Sequence, residues 1–258
     1  MPLVTAIDAV LPALETLFEQ DPLGAMQMRG LLADPDLIDE LRVDHTSAPR
    51  GALCRKGTFY GLYARDDATA SLLLDELDWP HQTISFAALP ERWLRLIQAR
   101  GQIQWQQPCQ RHHLPPHAPT PHQRAKQLTS LTHEDIKRIL TWWPYGDPAE
   151  DKDRAYAARL IGRGLATGWR QDGELVCWAL AGEDRALGML HTMEAWRRRG
   201  IAASVVAALT AAVRQRGFIP HGYVIEGNAG PLGIVKTLGY IPSAETYFWL
   251  GCEPQIPS

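Results

Sequence analysis

The sequence predicts an α/β protein of the α+β kind, with a mixed sheet flanked by helices. Three observations predict it. In the second half, helical stretches alternate with short strand-like runs, in the order helix, helix, strand, strand, helix, strand, helix, strand. Glycine, proline and Asp-Gly signals separate these stretches at most junctions. A proline-rich stretch, "RHHLPPHAPTPHQR" at 111–124, divides the chain into halves of similar length. Its four prolines in a polar context exclude regular structure, so it reads as a linker. The expected domains are therefore 1–112, a linker at 113–125, and 126–258. No internal repeat is visible in the sequence.

The first half opens with a helix at 7–19. "TFYGLYA" at 58–64 is aromatic and alternating, as a strand requires. Helices are expected at 67–79 and 90–101, the second with Pro90 in its first turn and a stop at Gly101. In the second half, Thr132 is placed to cap a helix that carries Asp135 three residues on and stops at Pro144. An amphipathic helix follows over 150–164 and ends at Gly164. A turn at Asp172-Gly173 opens the strand "GELVCWALAG", and "ALGMLHTM" at 186–193 is a second strand placed to pair with it. An alanine-rich helix then runs to Gly217. "HGYVIEG" is a strand, "PLGIVKTLG" a short helix and "ETYFWLGC" a last strand.

Composition narrows the class. The chain has 258 residues, 45% apolar and 21% charged, which is ordinary for a globular protein. A net charge of −3 gives no global electrostatic case for nucleic acid or an anionic membrane. The longest nearly apolar run, 201–213, is too short to span a bilayer. The N-terminus lacks a basic region and meets Asp8 early, so no signal peptide is expected. Cys54, Cys109, Cys177 and Cys252 form no CxxC pair and read as free thiols in a reducing cytoplasm.

"MEAWRRRGIA" at 193–202 breaks a local rule. Arg197, Arg198 and Arg199 precede a helix N-terminus, where cations oppose the macrodipole. Gly200 lets a ligand approach the backbone, and Ile201, Ala202 and Ala203 open the helix with amides that lack internal partners. An anion held by those amides and the guanidinium groups makes the arrangement sensible, and a nucleotide diphosphate fits both. The alternative is a solvated basic turn.

The stretch Arg197-Arg198-Arg199-Gly200-Ile201-Ala202, between a strand and a helix, resembles the acyl-CoA-binding motif of the GNAT acyltransferase superfamily, (Gln/Arg)-x-x-Gly-x-(Gly/Ala). Asn228 after the next strand and "KTLGY" at 236–240 extend the likeness over 131–250. "GMLHTMEAWRRRGIA", "GNAGPLGIVKTLGYIP", "WWPYG" and "GELVCWAL" are most similar to glycine N-acyltransferase-like proteins. That resemblance implies a GNAT fold in the C-terminal half and a degenerate GNAT-like N-terminal domain. It implies acetyl-CoA or another acyl-CoA as co-substrate, with no metal. Backbone groups near His191, Thr192 and Met193 would hold the pantetheine arm, the amides of Arg199 to Ala203 the diphosphate, and Asn228 the pantetheine again. The acceptor amine would attack the thioester directly.

The base is where this sequence departs from its relatives. Their usual glutamate falls near Ala186-Leu187 here, and their usual acidic tyrosine at Val235. The remaining candidates are Glu226, His191, Glu183 and Tyr247. His191 has the most useful unperturbed pKa, although a lone strand histidine is more often structural. A bound water would also serve. Cys109, His112, His113, His117 and His122 match no zinc-site spacing, and the prolines among them favour a linker. Most of the nine tryptophans read as core, with Trp143 and Tyr145 of "WWPYG" expected to line an acyl or acceptor pocket. The function expected is an acyl-CoA-dependent N-acyltransferase acting on a small amine or amino acid. An acyl-CoA-binding protein without chemistry and a protein N-acetyltransferase are the alternatives.

Overall fold

The computed structural model describes residues 7–121 and 127–254. In chain order the elements are α1 (Ile7–Glu19), α2 (Met26–Leu31), β1 (Glu40–Val43), β2 (Gly51–Lys56), β3 (Phe59–Ala64), α3 (Asp67–Leu74), β4 (Ile84–Pro90), α4 (Leu94–Gln98) and β5 (Gln102–His113). There follow β6 (Leu128–Ser130), α5 (Ile136–Thr141), α6 (Asp151–Gly162), β7 (Ala166–Gln171), β8 (Glu174–Ala181), β9 (Leu187–Thr192), α7 (Ile201–Gln215), β10 (His221–Ile225), α8 (Ala229–Thr237) and β11 (Ile241–Glu253). From α1 to β5 and again from α5 to β11 the order is two helices, three strands, then helix, strand, helix, strand. The topology thus repeats where the sequence shows no repeat.

The chain forms two compact units that are not its two consecutive halves. The first comprises 1–111 together with 224–227 and 242–258; the second comprises 112–223 and 228–241. The strand order of the larger sheet is β1-β2-β3-β4-β11-β5-β10. The last strand, expected to finish the second half, pairs with β4 in the first unit, Phe248 opposite Leu89 and Cys252 opposite Ile84. Helices α1 and α2 cover one face of that unit with Leu14, Phe18 and Met28 against Leu41, Ala52 and Tyr63. Helices α3 and α4 cover the other with Leu73, Leu74 and Ile97 against Leu53, Phe86 and Leu250.

In the second unit the sheet order is β6-β7-β8-β9, antiparallel throughout. Strand β8 is buried on both sides, which explains its unbroken apolar run. Trp178 and Leu180 meet Ile139 and Leu160 of α5 and α6. Cys177 and Ala179 meet Val205 and Leu209 of α7.

Several boundaries differ from the sequence reading. The helix expected at 67–79 ends at Leu74, and 90–101 begins as a 3-10 turn, Glu91–Trp93, before α4. The expected linker begins inside β5, which runs on through His113. Residues 114–121 are irregular but held: Leu114 N–H donates to Pro220 O at 2.8 Å, and Arg214 of α7 donates to the carbonyls of Ala118 and Pro115 at 2.7 and 3.1 Å. The rest of that stretch, from His122, lies outside the described residues.

Candidate functional site

The site begins at β9. It is the terminal strand of its sheet, and β10 belongs to a different ladder. The two strands approach closely at one end, where a Cβ on Gly222 would lie 2.8 Å from Leu187 O. Only a glycine admits that approach. The outer edge of β9 therefore offers backbone donors and acceptors to an extended ligand. The β8–β9 register shifts between Trp178 and Leu180, so Met189 and Leu190 together oppose Ala179. Met189 takes a left-handed φ of 47°. This is a β-bulge, a device that turns backbone groups out of the ladder.

Strand β9 leads into a 3-10 turn, Glu194–Trp196, and then to α7. Arg198 and Gly200 are both left-handed, with φ of 60° and 75°. Gly200 is the N-cap, and no side chain caps the helix amides. A Cβ on Gly200 would meet nothing within 4 Å. The first-turn amides thus face open space, as an anion site needs. Arg197 donates Nε to Thr192 O at 3.1 Å, and the Arg199 guanidinium lies 4.7 Å over the Trp196 ring. Among the described residues no carboxylate pairs with Arg197, Arg198 or Arg199. A cation against a helix N-terminus costs about 0.3–1 kcal/mol. A charge-assisted hydrogen bond to an anion returns about 1.5–3 kcal/mol. One phosphate oxygen per arginine is enough to reverse the local penalty.

The side chains of His191 and Met193 leave β9 on the side of α5. They line a cavity of about 320 Å³ with Arg138, Trp142, Trp196 and Arg197. His191 is held between two indoles: Trp178 stacks at 4.8 Å and Trp142 lies tilted at 4.9 Å. Its Nε2 is buried and has no hydrogen-bond partner among the described residues. Burial, with a smaller contribution from the Arg197 charge, holds its pKa below the ordinary histidine value. Both causes favour the neutral imidazole.

Other expected residues are placed differently. Trp143 stacks on Tyr156 at 5.7 Å and packs against the core beside Ile139 and Leu160; Tyr145 is 68% exposed. Neither lines the cavity, whereas Trp142, the other tryptophan of "WWPYG", does. Glu183 accepts from Arg159 Nε and Nη2 at 3.0 and 2.6 Å, which makes it a structural carboxylate. Tyr247 belongs to the first unit, buried under the Arg111 guanidinium at 4.4 Å, and burial raises its pKa. Glu226 is exposed, its amide donating to Pro108 O at 3.3 Å. Asn228 is the exposed N-cap of α8 and makes no side-chain cap. Val235 is half-buried on α8, and Ala186 is buried before β9. Among the described residues no group of three or more His, Cys, Asp or Glu could hold a metal ion, and no helix is long and apolar enough to cross a membrane. His122 lies outside those residues.

Residues 163–250 match the model of the family described as FR47-like protein. No curated protein matches the sequence. A Drosophila protein of known structure superposes with a TM-score of 0.74 at 15% identity, over 98% of this chain and 98% of that one. An acetyltransferase of the GNAT family from Colwellia psychrerythraea gives 0.57 at 13% identity, over 98% and 99%. A GCN5-related N-acetyltransferase from Kribbella flavida gives 0.53 at 16% identity, over 90% and 94%. The segment from β7 to β11 thus matches the FR47-like family, and the chain as a whole has the fold of the GCN5-related N-acetyltransferase superfamily.

Proposed function

We propose that the chain transfers an acyl group, acetyl or another short one, from an acyl-CoA to the amine of a small molecule or amino acid. The observation that carries this reading is the uncapped α7 N-terminus behind three arginines without carboxylate partners. A diphosphate supplies what those groups lack. The amides of Arg199 to Ala203 hold it, with Arg197 and Arg198 beside them. The free edge of β9 from His191 to Met193 bonds the amide-bearing arm, and Asn228 contributes a side chain to the same arm. The narrower likeness to glycine N-acyltransferases is part of this proposal and supports an amino acid as acceptor.

The reaction is attack of the neutral amine on the thioester carbonyl: a C–N bond forms, the C–S bond breaks, and the thiol leaves with a proton. Three tasks fall to the chain. The edge strand orients the thioester. The bulge at Met189 and Leu190 presents backbone outside the ladder to polarise the carbonyl. His191 takes the proton from the acceptor ammonium, directly or through water, to give the neutral amine that attacks. Glu226 is the second candidate for that task. The absence of the usual glutamate and tyrosine favours one competing reading, a protein that binds acyl-CoA without turnover. Release of free thiol from acetyl-CoA in the presence of a panel of small amines and amino acids decides between them: turnover of any acceptor supports the enzyme, and binding without turnover supports the competitor.

A further inference from the structure

The repeated element order gives each feature of the second unit a counterpart in the first. Strand β3 leads to α3 as β9 leads to α7, and β4 corresponds to β10. Beside β9 the strand edge is open. In the first unit, β3 and β4 run parallel and pair at only two positions, Phe59 with Ser85 and Tyr60 with Phe86. Beyond those pairs the strands part, and parted strands leave backbone groups that require partners.

The next residue on each strand is met by α2. Gln27, 6% exposed, donates Nε2 to the carbonyl of Ala87 at 2.5 Å. Leu31 lies against Gly61, where an added Cβ would fall 2.6 Å from its Cδ1 and 3.8 Å from Gln27 Oε1. A Cβ at position 61 would displace the Leu31 methyl, so the glycine lets α2 lie close against the strand. At the strand-to-helix junction, Asp66 caps α3 by accepting the Thr69 N–H at 2.8 Å. A second carboxylate, Asp67, follows. One first-turn amide, that of Thr69, is therefore taken up internally in α3, and Asp66 and Asp67 are themselves paired with Arg50 and Arg95.

We infer that the first unit is a self-occupied counterpart of the acyl-CoA slot: Gln27 and Leu31 fill the gap between β3 and β4, and Asp66 takes the Thr69 amide at the helix start, so the chain binds one CoA-type ligand and not two. The inference rests on the reading that the second unit receives that ligand. The carboxamide of Gln27 makes the bond to a strand carbonyl that an amide N–H of an extended ligand would otherwise make. The carboxylate of Asp66, which accepts the Thr69 N–H and pairs with Arg50, occupies the position of a phosphate.

Hydrogen–deuterium exchange of the full chain with saturating coenzyme A tests this, together with calorimetric stoichiometry. Protection is expected over 187–203 and none over 59–67 or 84–90, with one ligand per chain. Protection of β3 and β4, or two ligands per chain, overturns the inference. Protection nowhere in the chain sinks the acyl-CoA reading of the second unit while leaving the first unit closed. Gly200→Glu, checked for intact folding, supplies the cross-check: it should abolish all binding, and one ligand still bound per chain would locate a working site in the first unit.

Discussion

Two strand-to-helix junctions in this chain have the same topology and opposite chemistry. At 64–67 the first unit turns from β3 into α3 in the fewest residues, with Asp66 as cap. At 193–201 the second unit takes a longer path through a 3-10 turn, two left-handed residues and three arginines, and caps α7 with a bare glycine. A helix N-terminus needs partners for its amides wherever it occurs. One junction supplies a partner for the Thr69 amide from its own side chain and gains stability locally. The other has no side-chain cap, and the proposed acyl-CoA diphosphate would supply the missing partners. The comparison teaches that the fold provides the positive helix end, and the residue at the N-cap decides whether that end serves stability or binding.

The comparison breaks most easily at Gly200. Gly200→Glu should lower CoA affinity by at least about 100-fold with the fold intact, since a carboxylate would enter the phosphate position and burden a left-handed residue. Titration calorimetry on protein with an unchanged circular dichroism spectrum checks it; unaltered affinity would place the phosphates elsewhere.

The next effect concerns what the open junction serves. Removal of the proposed base His191 should lower the rate by about 10²–10⁴-fold near neutrality. The loss should shrink at high pH, where solution already deprotonates the amine. The folded pKa of His191 is depressed, so the rate of the native protein should reach its plateau below the ordinary histidine value. The pH–rate profiles of His191→Ala and Glu226→Gln give the answer. Profiles parallel to wild type in both would leave positioning with a water as proton acceptor.

A smaller effect sharpens the same contrast without mutation. A ligand that binds only the folded state stabilises it by mass action, by about 2.7 kcal/mol at one hundred times Kd. Coenzyme A should therefore raise the melting temperature of the wild-type protein, and a flat response at millimolar ligand would remove the anion from the second junction.

The smallest effect tests the closed junction. Asp66 is held well below the usual carboxylate range, to about 2, first by the Thr69 amide and then by Arg50. A depressed folded pKa gives stability that is present above the unfolded value and lost as pH falls. Asp66→Ala should lower the melting temperature by a few degrees at pH 7. That difference should fade between about pH 4 and pH 2. A difference that persists at pH 2 would mean that the cap acts through packing and not charge.

Local signals in the sequence determined much of the second unit. The helix from Ile201 to a glycine stop, the strand pair after Asp172-Gly173 and the capping box of Thr132 and Asp135 each rest on residues a few positions apart, and all three are present. The arginines at 197–199 and Gly200 were legible for the same reason: the conflict between cations and a helix N-terminus is visible in ten residues. The surroundings of His191 were not legible. Whether Trp142 or Trp143 reaches it depends on where α5 ends and which way its last turn faces. Trp142 leaves the helix over the strand, while Trp143 turns back onto Tyr156.

What the tertiary structure alone decided lies at long range. "ETYFWLGC" announces a strand, but strand propensity carries no address, and only pairing with β4 places it in the first unit. β5 runs into the stretch whose prolines suggested a linker, since ladder partners override local composition as far as His113. Gln27 gives no signal in sequence at all, because its role is to satisfy Ala87, sixty residues away. The sequence by itself determined the elements and the unbalanced charge at one helix start. The folded chain determined which of two equivalent junctions is open, because an unsatisfied backbone group is defined by what the rest of the molecule fails to bring to it.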